Sequence, residues 1–221
     1  MRVGVSLVDM GSGMWAVIGL LSSLLARVTT GVGCNVSTSL FETGLAWMTV
    51  PLAGYSANGE VRKPYGSGLQ EIVPYQAFEV SDGWLMIAAG NDNLFRKLCE
   101  AIGLASLAAD PAYATNATRV VNRGQLLPIL EKALAPYRGD ELAAMLDRAG
   151  VPNAPLLGTD RVANHPQTKA VEMITSSEND ALELVGIPVS FDGERPRNRR
   201  RAPRLGEHTA RWMDGKGRRD E

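Results

Sequence analysis

Asp9 is a carboxylate set where chemistry is possible, after the apolar run Val3 to Val8 and before Gly11-Ser12-Gly13. A carboxylate at the end of a strand and the start of a helix is ionised at neutral pH, with an unperturbed pKa of about 3.9. It can attack as a nucleophile, carry a proton, or simply cap the helix. On residue types alone the cap is the simpler reading. The second candidate is Tyr65-Gly66-Ser67-Gly68-Leu69-Gln70. Its glycines let a loop change conformation and bring backbone N–H groups against a ligand, although an interdomain linker has the same composition. A weaker candidate is Asp92, which sits at a helix start where capping is the ordinary task. His165 and His208, the only histidines, have no partners arguing for a metal site or a nucleophilic triad, so no metal is expected. Cys34 and Cys99 are too few and too far apart for a disulfide framework or a metal knuckle, which points to a reducing cytoplasm.

The elements that must position these groups follow from periodicity. Val3 to Val8 reads as a buried strand, Gly11-Ser12-Gly13 as a turn, and Met14 to about Val28 as a helix closed near Gly31 and Gly33. Asn35 to Leu40 reads as a second strand and Phe41 to about Ala57 as a second helix. Such alternation predicts an α/β layer with a parallel sheet. A sheet that opens on a buried strand beside Met1 and shows only two strands is incomplete, so the chain is expected to be truncated.

Asn58 to Val73 reads as a long loop or linker. Tyr75 to Val80 and Trp84 to Ala89 flank Ser81-Asp82-Gly83 as a hairpin. Asn91, Asp92 or Asn93 can cap a helix running to Ile102, and helices are expected over about Val121 to Ala135, interrupted by Pro128, and Asp140 to Ala149. A short strand is expected around Leu184 to Ser190, before a tail rich in Arg and Pro.

The chain has 221 residues, 45% hydrophobic and 21% charged, as expected of a globular protein with a real core. Its 23 Lys plus Arg nearly cancel 24 Asp plus Glu, so global charge argues for neither nucleic acid nor membrane. The arginine-rich stretch Glu194 to Arg204 is interrupted by prolines and lacks a stacking aromatic, which favours a solvated tail or subunit contact over a nucleic-acid arm. Met14 to Ala26 loosely mimics a signal peptide, but no clean cleavage site follows, and the run is short of the roughly 20 residues that span a bilayer.

Four stretches in order resemble the family III (CaiB/BaiF-type) CoA-transferases. Residues 2–42, RVGVSLVDMGSGMWAVIGLLSSLLARVTTGVGCNVSTSLFE, look like the segment that holds the family's nucleophilic aspartate, with Cys34 where the family usually has Gln. Glu71 to Phe78 with Asp82-Gly83 is similar to the pattern NIVPYQAFxxxDG, Ala89 to Cys99 to VGNDxQFRxLC, and Pro203 to Thr209 to PxLGEHT.

The resemblance implies a family III CoA-transferase fold, α/β in class: a partial Rossmann-like large domain plus a small α+β domain, in an interlocked dimer. Residues 1–62 would be the C-terminal part of the large CoA-binding domain and carry the nucleophile. Residues 63–165 would form the small domain, and 166–221 a return segment and tail packing on the large domain. It implies transfer of CoA between an acyl-CoA thioester and a carboxylic acid through an aspartyl-CoA thioester at Asp9. The loop bearing Gly66, Ser67, Gly68 and Gln70 would cover the active site. Asp92 falls where some racemase-like relatives carry a glutamate. Acyl-CoA and the acid would be substrates, with no tightly bound cofactor, and the chain would be a homodimer with neither nucleic acid nor membrane as partner. An α-methylacyl-CoA racemase-like enzyme, with Asp9 as an acid or base, is the nearest rival. A truncated, non-catalytic remnant that needs a separate N-terminal half is another.

Overall fold

The computed structural model describes residues 4–176, 182–196 and 201–213, the side chains of Arg211 and Trp212 excepted. The chain forms two compact units, Met1–Pro155 and Leu156–Glu221.

The first unit opens with a helix, not a strand. Helix α1 runs over Leu7–Thr30 and takes in both Asp9 and the expected Gly11-Ser12-Gly13 turn. Val3 lies outside the described residues, and Val5 is already exposed. The physical reason lies in how α1 packs. Val8, Gly11, Ser12, Ala16, Gly19 and Ser23 recur at helical spacing, and this stripe of mostly small side chains is the face that is covered. Residues 32–39 are extended and return along it without pairing as a strand, contrary to the expectation for Asn35 to Leu40. Val36 fills the place of a side chain at Gly19, where a Cβ would lie 2.6 Å from its Cγ1. Farther along the return come helix α2, Leu40–Trp47, and helix α3, Thr49–Asn58. A Cβ at residue 11 would meet the Thr43 methyl and the Trp47 ring of α2 at 3.0–3.2 Å, so this close approach favours glycine there and offsets its helix penalty of about 1 kcal/mol.

The large apolar residues of α1 point elsewhere: Leu21 and Leu25 are 61% and 73% exposed. By length and composition alone, α1 is long and apolar enough to cross a membrane. That corrects the sequence estimate of the run, because the helix starts at Leu7 and not Met14 and so gains about two turns.

The hairpin and the helices after Asn91 and up to Ala149 form as the patterning predicts. The helix expected from about Val121 begins at Arg123, and two short helices and a third strand that the patterning did not predict join them. Strands β1, Tyr75–Val80, and β2, Gly83–Ala88, pair antiparallel, with Phe78 opposite Leu85. Helices α4, Asp92–Ala101, α5, Ala105–Ala109, α6, Asn116–Val121, α7, Arg123–Leu134, and α8, Gly139–Ala149, follow. Strand β3, Asn153–Pro155, then pairs antiparallel with β2. Phe78, Val80, Leu85 and Ile87 share a core with Phe95, Leu98, Leu126, Leu130, Leu134, Leu142 and Leu146. Pro128 lies inside α7 without interrupting it. Proline in a helix interior costs about 3 kcal/mol, whereas burying three leucines on one face contributes roughly 1.5–3 kcal/mol each. The described strands of this unit are antiparallel, so the parallel sheet expected from the first 57 residues is not formed there.

The second unit comprises helices α9, Thr159–Asn164, and α10, Pro166–Ala170, an antiparallel pair of strands, β4, Ile174–Ser176, and β5, Glu183–Val185, and helix α11, Thr209–Met213. Residues 197–200, the centre of the arginine-rich stretch, lie outside the described residues.

Candidate active site

Asp9 occupies the first turn of α1 and is exposed. The first turn of a helix presents unpaired N–H groups and the positive end of the helix dipole. What fixes this turn is contact with α2. The Ser12 hydroxyl donates to the Val8 carbonyl oxygen at 2.8 Å and shares a hydrogen bond of 2.9 Å with the Thr43 hydroxyl. Thr43 is buried, and a Cβ on Gly11 would lie 3.0 Å from its methyl and 3.1 Å from Nε1 of Trp47. α2 is itself set by Ser39, which caps it by accepting from the Glu42 N–H and donating to its carboxylate at 2.6 Å.

The loop from Tyr65 to Gln70 is an organised structure. Gly66 has φ of +64°, a conformation that favours glycine, and the Gly68 N–H closes a turn on the Tyr65 carbonyl oxygen at 2.9 Å. The Ser67 hydroxyl accepts from the Ala77 N–H at 3.0 Å, which ties the loop to β1. Gln70 donates through Nε2 to Glu60 at 3.0 Å, while its buried Oε1 has no partner. Arg62 pairs with Glu71 nearby. Among the described residues no hydrogen bond or ion pair joins Asp9 to this loop.

Asp92 has a structural occupation. Asn91 is the residue that caps α4, accepting from the Leu94 N–H at 2.9 Å. Asp92 instead receives Nη2 of Arg119 at 2.9 Å and the Asn116 N–H at 2.8 Å. Arg119 is fully buried, donates also to the carbonyl oxygens of Val73 and Tyr113, and lies over the Phe95 ring. Asn116 completes the network, accepting from the Val73 N–H and donating to the Glu71 carbonyl oxygen. Sequence reasoning missed Arg119, Asn116 and Arg123; the one local signal was the Thr115/Thr118 capping box that starts α6.

His165 accepts from the Gln167 N–H and caps α10. In the Leu205 to Thr209 stretch, Glu207 takes two hydrogen bonds from Arg201 and one from the Arg204 N–H, which hold its carboxyl below the usual range. Among the described residues no three His, Cys, Asp or Glu side chains cluster as metal ligands would.

Both cysteines are free, Cys34 exposed and Cys99 buried. Burial pushes the Cys99 thiol from 9.0 up to about 12, against the pull of Arg119 and with a push from Glu100. The native chain is therefore expected to consume one equivalent of a thiol reagent, at Cys34, and a second only on unfolding. Peptide mapping of both samples checks this. Because the folded pKa is the higher one, the contribution of Cys99 to stability is fully present below 9.0 and is lost as pH rises towards about 12.

The model of the CoA-transferase family III matches residues 1–209. An acyl-CoA transferase of Fusarium pseudograminearum is 35% identical over 96% of this chain and 48% of its own length. An acetyl-CoA:oxalate CoA-transferase of Acetobacter aceti is 36% identical over 94% of this chain and 53% of its own. The crystal structure of a CAIB/BAIF family protein from Brucella suis superposes with a TM-score of 0.83 at 33% identity, covering 97% of this chain and 56% of that one. The chain spans about half the length of the curated relatives it matches.

Proposed function

The chain belongs to CoA-transferase family III, and from that premise we propose that it moves coenzyme A from an acyl-CoA thioester to a carboxylic acid, with Asp9 as the attacking carboxylate. The observation that supports the role of Asp9 is an exposed carboxylate in the first turn of a long helix, on a turn anchored by Gly11 and Ser12 against α2.

In this reading Asp9 attacks the thioester carbonyl carbon, the C–S bond breaks, and CoA leaves as the thiolate with a mixed anhydride left on Asp9. The thiolate attacks the Asp9 carbonyl, which releases the donor acid and forms an aspartyl-CoA thioester. The acceptor carboxylate attacks that thioester and expels the thiolate, giving a second anhydride. The thiolate then takes the acceptor acyl group, and the Asp9 carboxylate is restored. Each step replaces one difficult exchange by easier ones. The helix N-terminus contributes at most about 2 kcal/mol to the negative charge there, so positioning carries more of the rate.

The Acetobacter aceti relative is named for acetyl-CoA and oxalate, so acetyl-CoA with small dicarboxylic acids is the first pair to assay. We also assign the uncovered apolar side of α1 to a subunit contact in a homodimer, and the protein to the cytoplasm.

The test is chemical trapping in the active assembly. Incubation with acyl-CoA followed by hydroxylamine is expected to leave a hydroxamate on Asp9, found by peptide mapping. A hydroxamate on another carboxylate, or none while turnover continues, overturns the assignment. Solvent deuterium entering the α-carbon without CoA exchange would favour a racemase instead.

A further inference from the structure

We propose that Arg123 is the positioning residue of the Tyr65 to Gln70 loop, a latch that fixes the loop to the rigid core of the small domain. The catalytic meaning of the latch rests on the reading of this chain as a CoA-transferase; the latch itself rests on geometry. Nη2 of Arg123 donates to the carbonyl oxygens of Leu69 at 3.0 Å and Gln70 at 2.6 Å. The same guanidinium lies over the Tyr65 ring, with Cζ 4.2 Å from the centroid. One side chain thus holds both ends of the loop. Its own base is stiff, because Arg123 begins α7, whose Leu126, Leu130 and Leu134 are fully buried.

The residue type matters. A planar guanidinium can bridge two carbonyl oxygens with its edge while its face stacks on an aromatic ring; an ammonium offers a point charge without that face. Inside the loop, Gly68 sits where a Cβ would approach Oε1 of Gln76 and the Tyr65 carbonyl oxygen, both at 3.2 Å. Ser67 is joined to β1 at the middle. With the Gln70 hydrogen bond to Glu60, four separate anchors therefore set one conformation, and Arg123 supplies two of the four.

The test compares wild type with Arg123→Lys, Arg123→Ala, Tyr65→Phe and Tyr65→Leu. Amide hydrogen exchange over residues 66–70 is expected to rise about tenfold or more in Arg123→Ala, Arg123→Lys and Tyr65→Leu, with core amides of β1 and β2 unchanged. Tyr65→Phe, which keeps a ring face, is expected to exchange as wild type. Wild-type exchange in Arg123→Lys or Arg123→Ala overturns the latch. In a transfer assay, Arg123→Ala is expected to lower kcat more than it raises KM and to increase hydrolysis of acyl-CoA relative to transfer. Unchanged kcat, KM and hydrolysis beside altered exchange overturns the positioning role. An exchange pattern as expected in a wild type that transfers no CoA removes the transferase reading and leaves the latch standing.

Discussion

Arg119→Ala is expected to lower stability by about 3–5 kcal/mol, the range for deleting a large buried side chain together with its polar contacts. The substitution leaves the carbonyl oxygens of Val73 and Tyr113 short of a donor and opens a space against Phe95. At roughly 2–4 °C per kcal/mol for a chain of this size, the melting temperature should fall by about 6–20 °C. Asp92→Asn is expected to cost less, about 1–2 kcal/mol, because the Asp92 side chain is 55% exposed and the amide keeps an acceptor for Arg119. Thermal melts of the two variants measure this order. The pair also decides what Asp92 is for. Lost stability with proportionate loss of turnover marks a structural residue, whereas Asp92→Asn that melts as wild type and cannot turn over would make it part of the reaction.

Asp9→Asn is expected to reduce kcat/KM on the order of 10³-fold or more in the active assembly, since removing a nucleophile abolishes the covalent route. The melting temperature should fall by no more than about 4 °C, because the side chain is exposed, makes no hydrogen bond or ion pair among the described residues, and loses only a helix-dipole interaction of at most about 1 kcal/mol. Asp9→Glu tests position separately from charge. It keeps the carboxylate but carries it one methylene farther, and a displacement of about 1 Å can cost on the order of 10²-fold. Steady-state kinetics with melts alongside reads both variants. Asparagine activity within about tenfold of wild type would remove Asp9 from the chemistry.

The parts of this fold legible in the sequence are those whose cause is local. Ser81-Asp82 joins two alternating strands, Asn91 accepts from the Leu94 N–H, and α8 follows its own apolar spacing. The start of α1 was not legible, because Gly11 and Gly13 carry the ordinary signal of a turn. What keeps Gly11 in a helix is Trp47 and Thr43, more than thirty residues away. Arg119 and Arg123 escaped for the same reason. Their partners lie 46 and 53 residues distant in Val73 and Gln70, and no short-range pattern marks an arginine as buried or as a tether. Asp9 could be named because a resemblance spoke for it; its residue type alone fitted a helix cap better.

The contact at Gly11 has a mechanical consequence. At 1.5 Å per residue, Asp9 lies about 3 Å from that contact along the helix axis, while Thr30 lies about 28 Å away. If α1 rocks about Gly11 by about 5°, its far end sweeps roughly 2.5 Å and the carboxylate end only about 0.3 Å. Val36 seated on Gly19 opposes that rocking, so the two glycine contacts pin the half of α1 that carries the carboxylate. Subunit or ligand movements at the far end are expected to bend the turns beyond Gly19 before they turn the reactive tip.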